Sequence, residues 1–344
     1  MKRKISFGLF IILIVVIVTA VSVGSAQLSM VDSLRIIVDK LPIVGRFVDI
    51  SELSQTYVTI VWQVRMPRVL LAALTGGVLA VVGAAFQGIF RNPLADPHIL
   101  GVPSGAALGA TVAMLFQFVT GFSIQFLGLG TIGIFAFAGA LLTVALVYQV
   151  ARFGGEHSTT NMLLTGTAIS TLLSAIISLL MTFHNDQIAK VYMWTMGSFS
   201  AATWEKVLFL LFFTVIGMGI LLFFAQKLNI ILLGEDEAKC LGIDTAKLRR
   251  RIIVTASFLV AAAVSVSGII GFVGLIIPHC VRMLCGSDHK RLMPYGFLAG
   301  ATFLVICDTL ARTIAAPTEI PVGIITAICG APYFIFLVWR KRRG

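Results

Sequence analysis

Ten long apolar runs separated by short polar breaks constrain this chain more than any other feature. They fall at roughly 5–23, 66–88, 101–119, 126–150, 161–183, 206–226, 252–270, 272–284, 293–311 and 322–339. One bilayer crossing takes about 20 apolar residues, and 58% of 344 residues are hydrophobic, enough for about ten crossings. Lipid offers no water to satisfy an open backbone, so the runs must be helices. The expected fold class is therefore an all-α membrane protein with ten transmembrane helices. Only 12% of residues are charged, which excludes a disordered regulator, a disulfide scaffold or an ordinary cytoplasmic enzyme. The run at 272–284 is the shortest and follows Gly271 and Gly274 closely.

The net charge of +11 invites a nucleic-acid reading, but on short loops it orients a membrane protein instead. With an even number of crossings, both termini share one side. That side holds 18 of the 26 Lys and Arg residues, including Lys2–Lys4, Arg249–Arg251 and the Arg340–Arg343 tail; the other holds 8. The richer side is expected to be cytoplasmic. Lys2–Lys4 and Gly24–Ala26 imitate a secretory leader, yet the run between them is long enough to span, so it reads as an uncleaved first helix.

Glycines mark where helices should pack closely: Gly101, Gly105 and Gly109 on one run, Gly296 and Gly300 on another. Two segments break the regular pattern, Arg91–Pro97 and Gly271–Gly274 with Pro278–His279. Each follows a helix rich in small residues, and the two helices run in opposite directions, which hints at an inverted repeat around a pathway.

No G-x-x-x-x-G-K-[ST] loop is present, so the chain has no Walker cradle for ATP phosphates. Gly128–Gly133 spells G-x-G-x-x-G inside an apolar region with no strand expected before it, and is set aside. The five histidines and five cysteines show no metal-ligand spacing, and no metal site or catalytic residue is expected. Asp308 is the one carboxylate well inside an apolar run. It reads either as a proton relay or, preferably, as a helix-packing partner. Arg65, Arg68 and Arg312 stand at the outer ends of their runs, where they could receive an anionic ligand or partner carboxylates, or snorkel to headgroups. The longest cytoplasmic insertion, 227–250, begins acidic at Glu235 and has a Gly near its end. It predicts a short helix outside the membrane, with Ala238 and Leu241 on its apolar face.

The stretches RMPRVLLAALTGGVLAVVGAAFQGIFRNPLADPHILGVPSGAALGA (65–110), LNIILLGEDEAKCLGID (228–244), GIIGFVGLIIPHCVRML (268–284) and DTLARTIAAPTEIPVGIITAICGAPYFIFL (308–337) resemble the FecCD-type permeases. These are the membrane subunits of ABC importers for iron–siderophores, haem and cobalamin. The resemblance implies the type II ABC importer permease fold, a single permease domain over 1–344, and a homodimer with its pathway on the two-fold axis. It also implies two copies of a separate ATPase inside and one substrate-binding protein outside, in a bacterial cell (inner) membrane. No cofactor is expected on this chain, ATP and magnesium being used by the ATPase.

By the same resemblance, Arg65, Arg68 and Arg312 dock the binding protein. Asn92 and Leu94, with Ser158 and Thr159, form gates near the cytoplasm. Gly234, Glu235, Ala238, Leu241 and Gly242 couple to the ATPase. The chain is then not an enzyme. The alternatives weighed are an ion-coupled secondary transporter using Asp308, and an intramembrane enzyme using His279 or Asp308, which lacks a paired acid or nucleophile.

Overall fold

A computed structural model describes residues 2–24, 29–40, 45–50, 52–152 and 159–341. Among these the chain is helical almost throughout: α1 (Lys2–Ser22), α2 (Met30–Asp39), α3 (Gln55–Thr59), α4 (Met66–Ile89), α5 (Val102–Thr120), α6 (Thr131–Arg152) and α7 (Thr159–Phe183) come first. They are followed by α8 (Ile188–Thr195), α9 (Trp204–Ile231), α10 (Glu235–Cys240), α11 (Thr245–Ser267), α12 (Val273–Cys285), α13 (His289–Thr313) and α14 (Val322–Lys341). Eight helical stretches are long and apolar enough to cross a membrane, and two shorter apolar helices, Val273–Cys285 and Val322–Phe336, stand where the remaining predicted runs lie. The chain is a multi-pass membrane protein.

α4 is the axis of the bundle. Of its apolar stretch 89% is buried, against 11% for α7. Its Ala, Gly, Val and Leu residues allow this, because a helix apolar on every side and small in cross-section can be surrounded by others. It packs on α13, α9, α12 and α11. At the α4–α13 crossing, a β-carbon on Gly76 would lie 2.2 Å from the Gly300 carbonyl oxygen, and one on Gly300 would lie 2.3 Å from that of Gly76. The predicted small-residue seam is therefore real at Gly300, but Gly296 faces open space and takes no part. Gly105 and Gly109 seat α5 against Gly139 and Phe135 of α6, as their spacing predicts.

The second span is longer than the apolar run suggested. α3, a π-helical turn over Ile60–Arg65 and α4 form one continuous stretch, Gln55–Ile89. Pro67 explains the wide turn: it has no N–H to close the usual bond, and the Met66 amide reaches back to the Val61 carbonyl instead. A strand, not expected from the sequence, does precede Gly128–Gly133: Gln125–Phe126 pairs with Leu129–Gly130 as a minimal antiparallel hairpin. It caps the start of α6 and builds no nucleotide-binding unit, which would need a full βαβ crossover.

Candidate functional site

The features singled out in the sequence collect at the two ends of the bundle. At the end holding Arg65 and Arg312, all three candidate docking arginines come together, but their side chains turn inward. Arg65, 5% exposed, donates from Nη1 to the Val21 and Ser22 carbonyls at 2.9 and 2.8 Å. It thereby covers carbonyls that the last turn of α1 leaves open. Arg312 donates to the Ala20 carbonyl of the same turn. Arg68, 8% exposed, grips Asp308 with Nε at 3.1 and 3.0 Å and Nη2 at 2.9 Å, while its Nη1 donates to Glu319 at 2.8 Å. Arg312 Nε completes the cluster 3.8 Å from Asp308.

This revises the expected picture of a rim displaying free cations. Burial makes an unpaired guanidinium costly, so each arginine is matched to a carbonyl or carboxylate. It also resolves Asp308 in favour of helix packing: Arg68 bonds both carboxylate oxygens, tying α13 to α4. The oxygens a carried proton would need are already occupied. Glu319, on the loop between α13 and α14, was not weighed from the sequence. Its side chain is 43% exposed and is the cluster's opening to solvent. The available signal was an acid beside this arginine end in a chain with only 15 acidic residues.

At the opposite end, the two irregular segments meet. α4 ends at Ile89, and Asn92 shapes the turn that follows: its side-chain oxygen accepts from the Leu94 amide at 2.9 Å. Leu94 is left 45% exposed at the tip. The Gly271–Gly274 break lies against this part of α4. A β-carbon on Gly83 would fall 1.9 Å from the Gly274 carbonyl oxygen, and one on Gly274 would fall 3.5 Å from Asp96 Oδ2. Buried Gln87 bridges the junction, donating to the Leu275 carbonyl at 3.2 Å and accepting from Arg282 at 2.8 Å. Phe272 adopts a left-handed φ of 68°, a strained state for a bulky side chain, and its Cβ sits so close to α14 that a β-carbon on Gly330 would fall 2.5 Å away. Ser158, proposed as a gate, lies outside the described residues. Of Thr159 only the backbone is described, as the first residue of α7.

Asp96 and His98 pair within the same turn, through Asp96 Oδ1 and His98 Nδ1. Burial opposes both charges, but the facing carboxylate outweighs it and raises the His98 imidazole, while His98 lowers the Asp96 carboxyl. The His98 share of turn stability is complete below about pH 6.5 and fades as pH rises through the raised value; the Asp96 share is complete above about pH 4 and fades as pH falls through the lowered one. Protection of the 92–101 amides, measured against the unstructured exchange rate at each pH, should therefore fall toward both extremes, and His98→Gln should flatten the alkaline limb.

α10 forms as predicted, with Glu235, Asp236 and Glu237 at its positive end. Gly242, at φ 75°, ends it: the Ile243 amide reaches the Ala238 carbonyl and the Gly242 amide that of Lys239, a closure that needs the left-handed residue. The expected shared apolar face is not found. Ala238 is fully buried, Leu241 is 64% exposed, and Glu235 is held by Arg249 of α11. Ala238 and Glu235 anchor the helix, and Leu241 stands on its exposed side.

Comparison with known proteins supports one family. The model of the FecCD transport family matches residues 12–340. The chain is 44% identical over 284 residues to the cobalamin import system permease protein of Halobacterium salinarum, covering 83% of this chain and 74% of that one. It is 40% identical over 343 residues to the molybdate import system permease protein of Haemophilus influenzae, covering 99% and 97%. A solved structure described as an inward-facing metal-chelate type ABC transporter superposes with a TM-score of 0.82 at 37% identity, over 98% of this chain and 99% of that one.

Proposed function

This chain belongs to the FecCD transport family, and on that premise we propose that two copies of it form the membrane pathway of an ATP-driven importer for a metal chelate. It is a transport component of the ABC importer type and not an enzyme. The observation that carries the reading is the similarity of the whole chain, broken segments included, to a metal-chelate type ABC transporter. The names of the relatives run from cobalamin to molybdate, so one scaffold serves several cargoes, and in this reading the choice of cargo lies with a separate binding protein. Among these cargoes our reading favours an iron chelate, siderophore or haem, with cobalamin as the alternative.

In this reading the Asn92 end and both termini face the cytoplasm, and the arginine end faces out, in the cell (inner) membrane of a bacterium. Docking carboxylates approach Arg68 past half-exposed Glu319, with Arg65 and Arg312 adding positive potential behind it. Two copies of an ATPase, which uses ATP and magnesium, engage α10 through Leu241, with Gly234 and Gly242 setting the helix ends and Ala238 and Glu235 holding it to the bundle. ATP-driven movement then biases the junction of Asn92, Leu94 and Gly274 between two packings, and each partner shifts that balance only through contacts that differ between them. Ser158 and Thr159 complete the gate.

Reconstitution with the ATPase and candidate binding proteins tests this. ATP hydrolysis and uptake should rise only with the cognate binding protein loaded with its metal chelate. Uptake that needs no ATPase would sink the reading. At the α10 contact, Leu241→Asp should remove a central apolar anchor worth about 2 kcal/mol, about thirtyfold in ATPase affinity, read by co-purification.

A further inference from the structure

At the arginine end of the bundle, but away from the arginine cluster, a cavity of about 770 Å³ lies between α8 and the adjoining ends of α5, α6, α9 and α11. We propose that it is a binding site for an organic oxyanion, a molecule carrying carboxylate or phosphate groups. Neither the docking role nor the cargo assignment is needed for this.

Charge comes first. Lys190 of α8 and Lys206 of α9 line the cavity, and no aspartate or glutamate does. Among the described residues neither ammonium is in an ion pair. Lys206 Nζ donates one hydrogen, to the Ala201 carbonyl at 2.7 Å, and keeps two for another acceptor. The nearest acids are otherwise placed: Glu205 accepts from Gln125 at 3.2 Å, and Asp186 is exposed in the turn before α8.

The second observation is independent of charge. Gln187, also on the wall, is 3% exposed, and its side-chain amide finds no hydrogen-bonding partner among the described residues. The amide is not sealed from solvent like the buried polar atoms of the helix core, so its free donor and acceptor are available to an occupant of the cavity. Gln117 and Ser200 add further neutral hydrogen-bonding groups to the lining. Two cations, two amides and hydroxyls with no carboxylate suit an oxyanion. The volume exceeds that of a bare inorganic ion and falls in the usual range for small-molecule sites.

The pocket is held in shape by backbone bonds rather than by a ligand. The Ser198 amide donates to the Ser267 carbonyl at 2.8 Å, and the Val322 and Gly323 amides donate to the Gly197 and Met196 carbonyls at 3.1 and 3.0 Å. The segment joining α8 to α9 is thus tied to both α11 and α14, so an occupant of the cavity would be sensed by α14. The anion can come from solution or from an outer-leaflet lipid headgroup.

The full-length protein in nanodiscs of neutral lipid is titrated with citrate and with inorganic phosphate, and lysine acylation is mapped by mass spectrometry. Citrate should bind and protect Lys190 and Lys206 but not Lys239, which lies outside the cavity. Lys190→Gln and Lys206→Gln should each weaken binding at least tenfold, Gln187→Leu severalfold, and Lys206→Arg little. A second arm uses nanodiscs containing phosphatidylglycerol. Protection there without citrate, competed by citrate, identifies the headgroup as the source, whereas citrate binding in neutral lipid identifies a soluble one. The proposal is overturned if neither citrate, phosphate nor phosphatidylglycerol protects the two lysines. Citrate affinity unchanged in the doubly substituted K190Q/K206Q protein overturns it too. If that double variant does not fold, protection in the wild-type protein decides alone. None of these readouts involves ATP or uptake, so failure here leaves the transport reading standing, and the reverse.

Discussion

Asp308→Ala lowers the stability of the detergent-solubilised protein by about 3–5 kcal/mol, read as a large fall in melting temperature, because it strands buried cations. Asp308 has a side chain only 2% exposed and is the shared partner of Arg68 and Arg312. Removing it leaves Arg68 with Glu319 alone and Arg312 with the Ala20 carbonyl. Asp308→Asn keeps the shape but loses the charge, and should fall between the wild type and the alanine variant. The same pair separates two transport mechanisms. At a temperature where Asp308→Asn remains folded, uptake should persist, still require ATP and ignore dissipation of the proton gradient. Wild-type uptake that was indifferent to ATP and vanished in this folded variant would favour the ion-coupled mechanism instead. The geometry argues otherwise, since a carboxylate bonded through both oxygens to one arginine has been committed to holding α13 against α4.

The second large effect is steric. Gly76→Leu should cost about 3 kcal/mol or more and reduce the yield of folded protein sharply, because overpacking at a rigid contact has nowhere to relax. Its first side-chain carbon alone would lie 2.2 Å from the Gly300 carbonyl oxygen and 2.7 Å from Leu304 Cβ. Backbone cannot swing aside as a flexible side chain can, so α4 and α13 must separate. Gly296→Leu is the control on α13: its glycine meets nothing within 4 Å, and the melting temperature should change little. Equal effects at both positions would show that the seam is not where the structure places it.

The two glycines also show how far sequence reading reaches. Spacing marked both Gly296 and Gly300 as packing positions, but spacing sees only the helix that bears them. Which one meets another backbone depends on the crossing point with α4, and that is set by side chains more than 200 positions away in the chain. The arginines are a parallel case. Arg65, Arg68 and Arg312 were legible from charge, topology and family resemblance, yet their orientation was not. The Arg68–Glu319 pair joins residues 251 positions apart, and the Gln87–Leu275 bond spans 188. Local pattern carries no information about such pairs. α10 marks the opposite limit: its acidic start and closing Gly242 are local signals acting through the helix's own backbone, and the helix forms where they predict. Only its facing was missed, because Ala238 is buried by neighbours in the fold.

Charge was the most misleading signal when summed and the most informative when placed. The sequence by itself determined that the chain is built of membrane-length apolar helices and roughly where most of them lie, because lipid makes every crossing satisfy its own backbone. Its loop charges also favour one orientation. Only the tertiary structure decided that the arginine rim is internally paired, that the two broken segments meet on α4, and that two lysines and an unpartnered glutamine share a cavity. Hydrophobicity and backbone hydrogen bonding act within a segment and are written along it. Ion pairing, close packing and cavities arise between segments, and exist only once the helices have met.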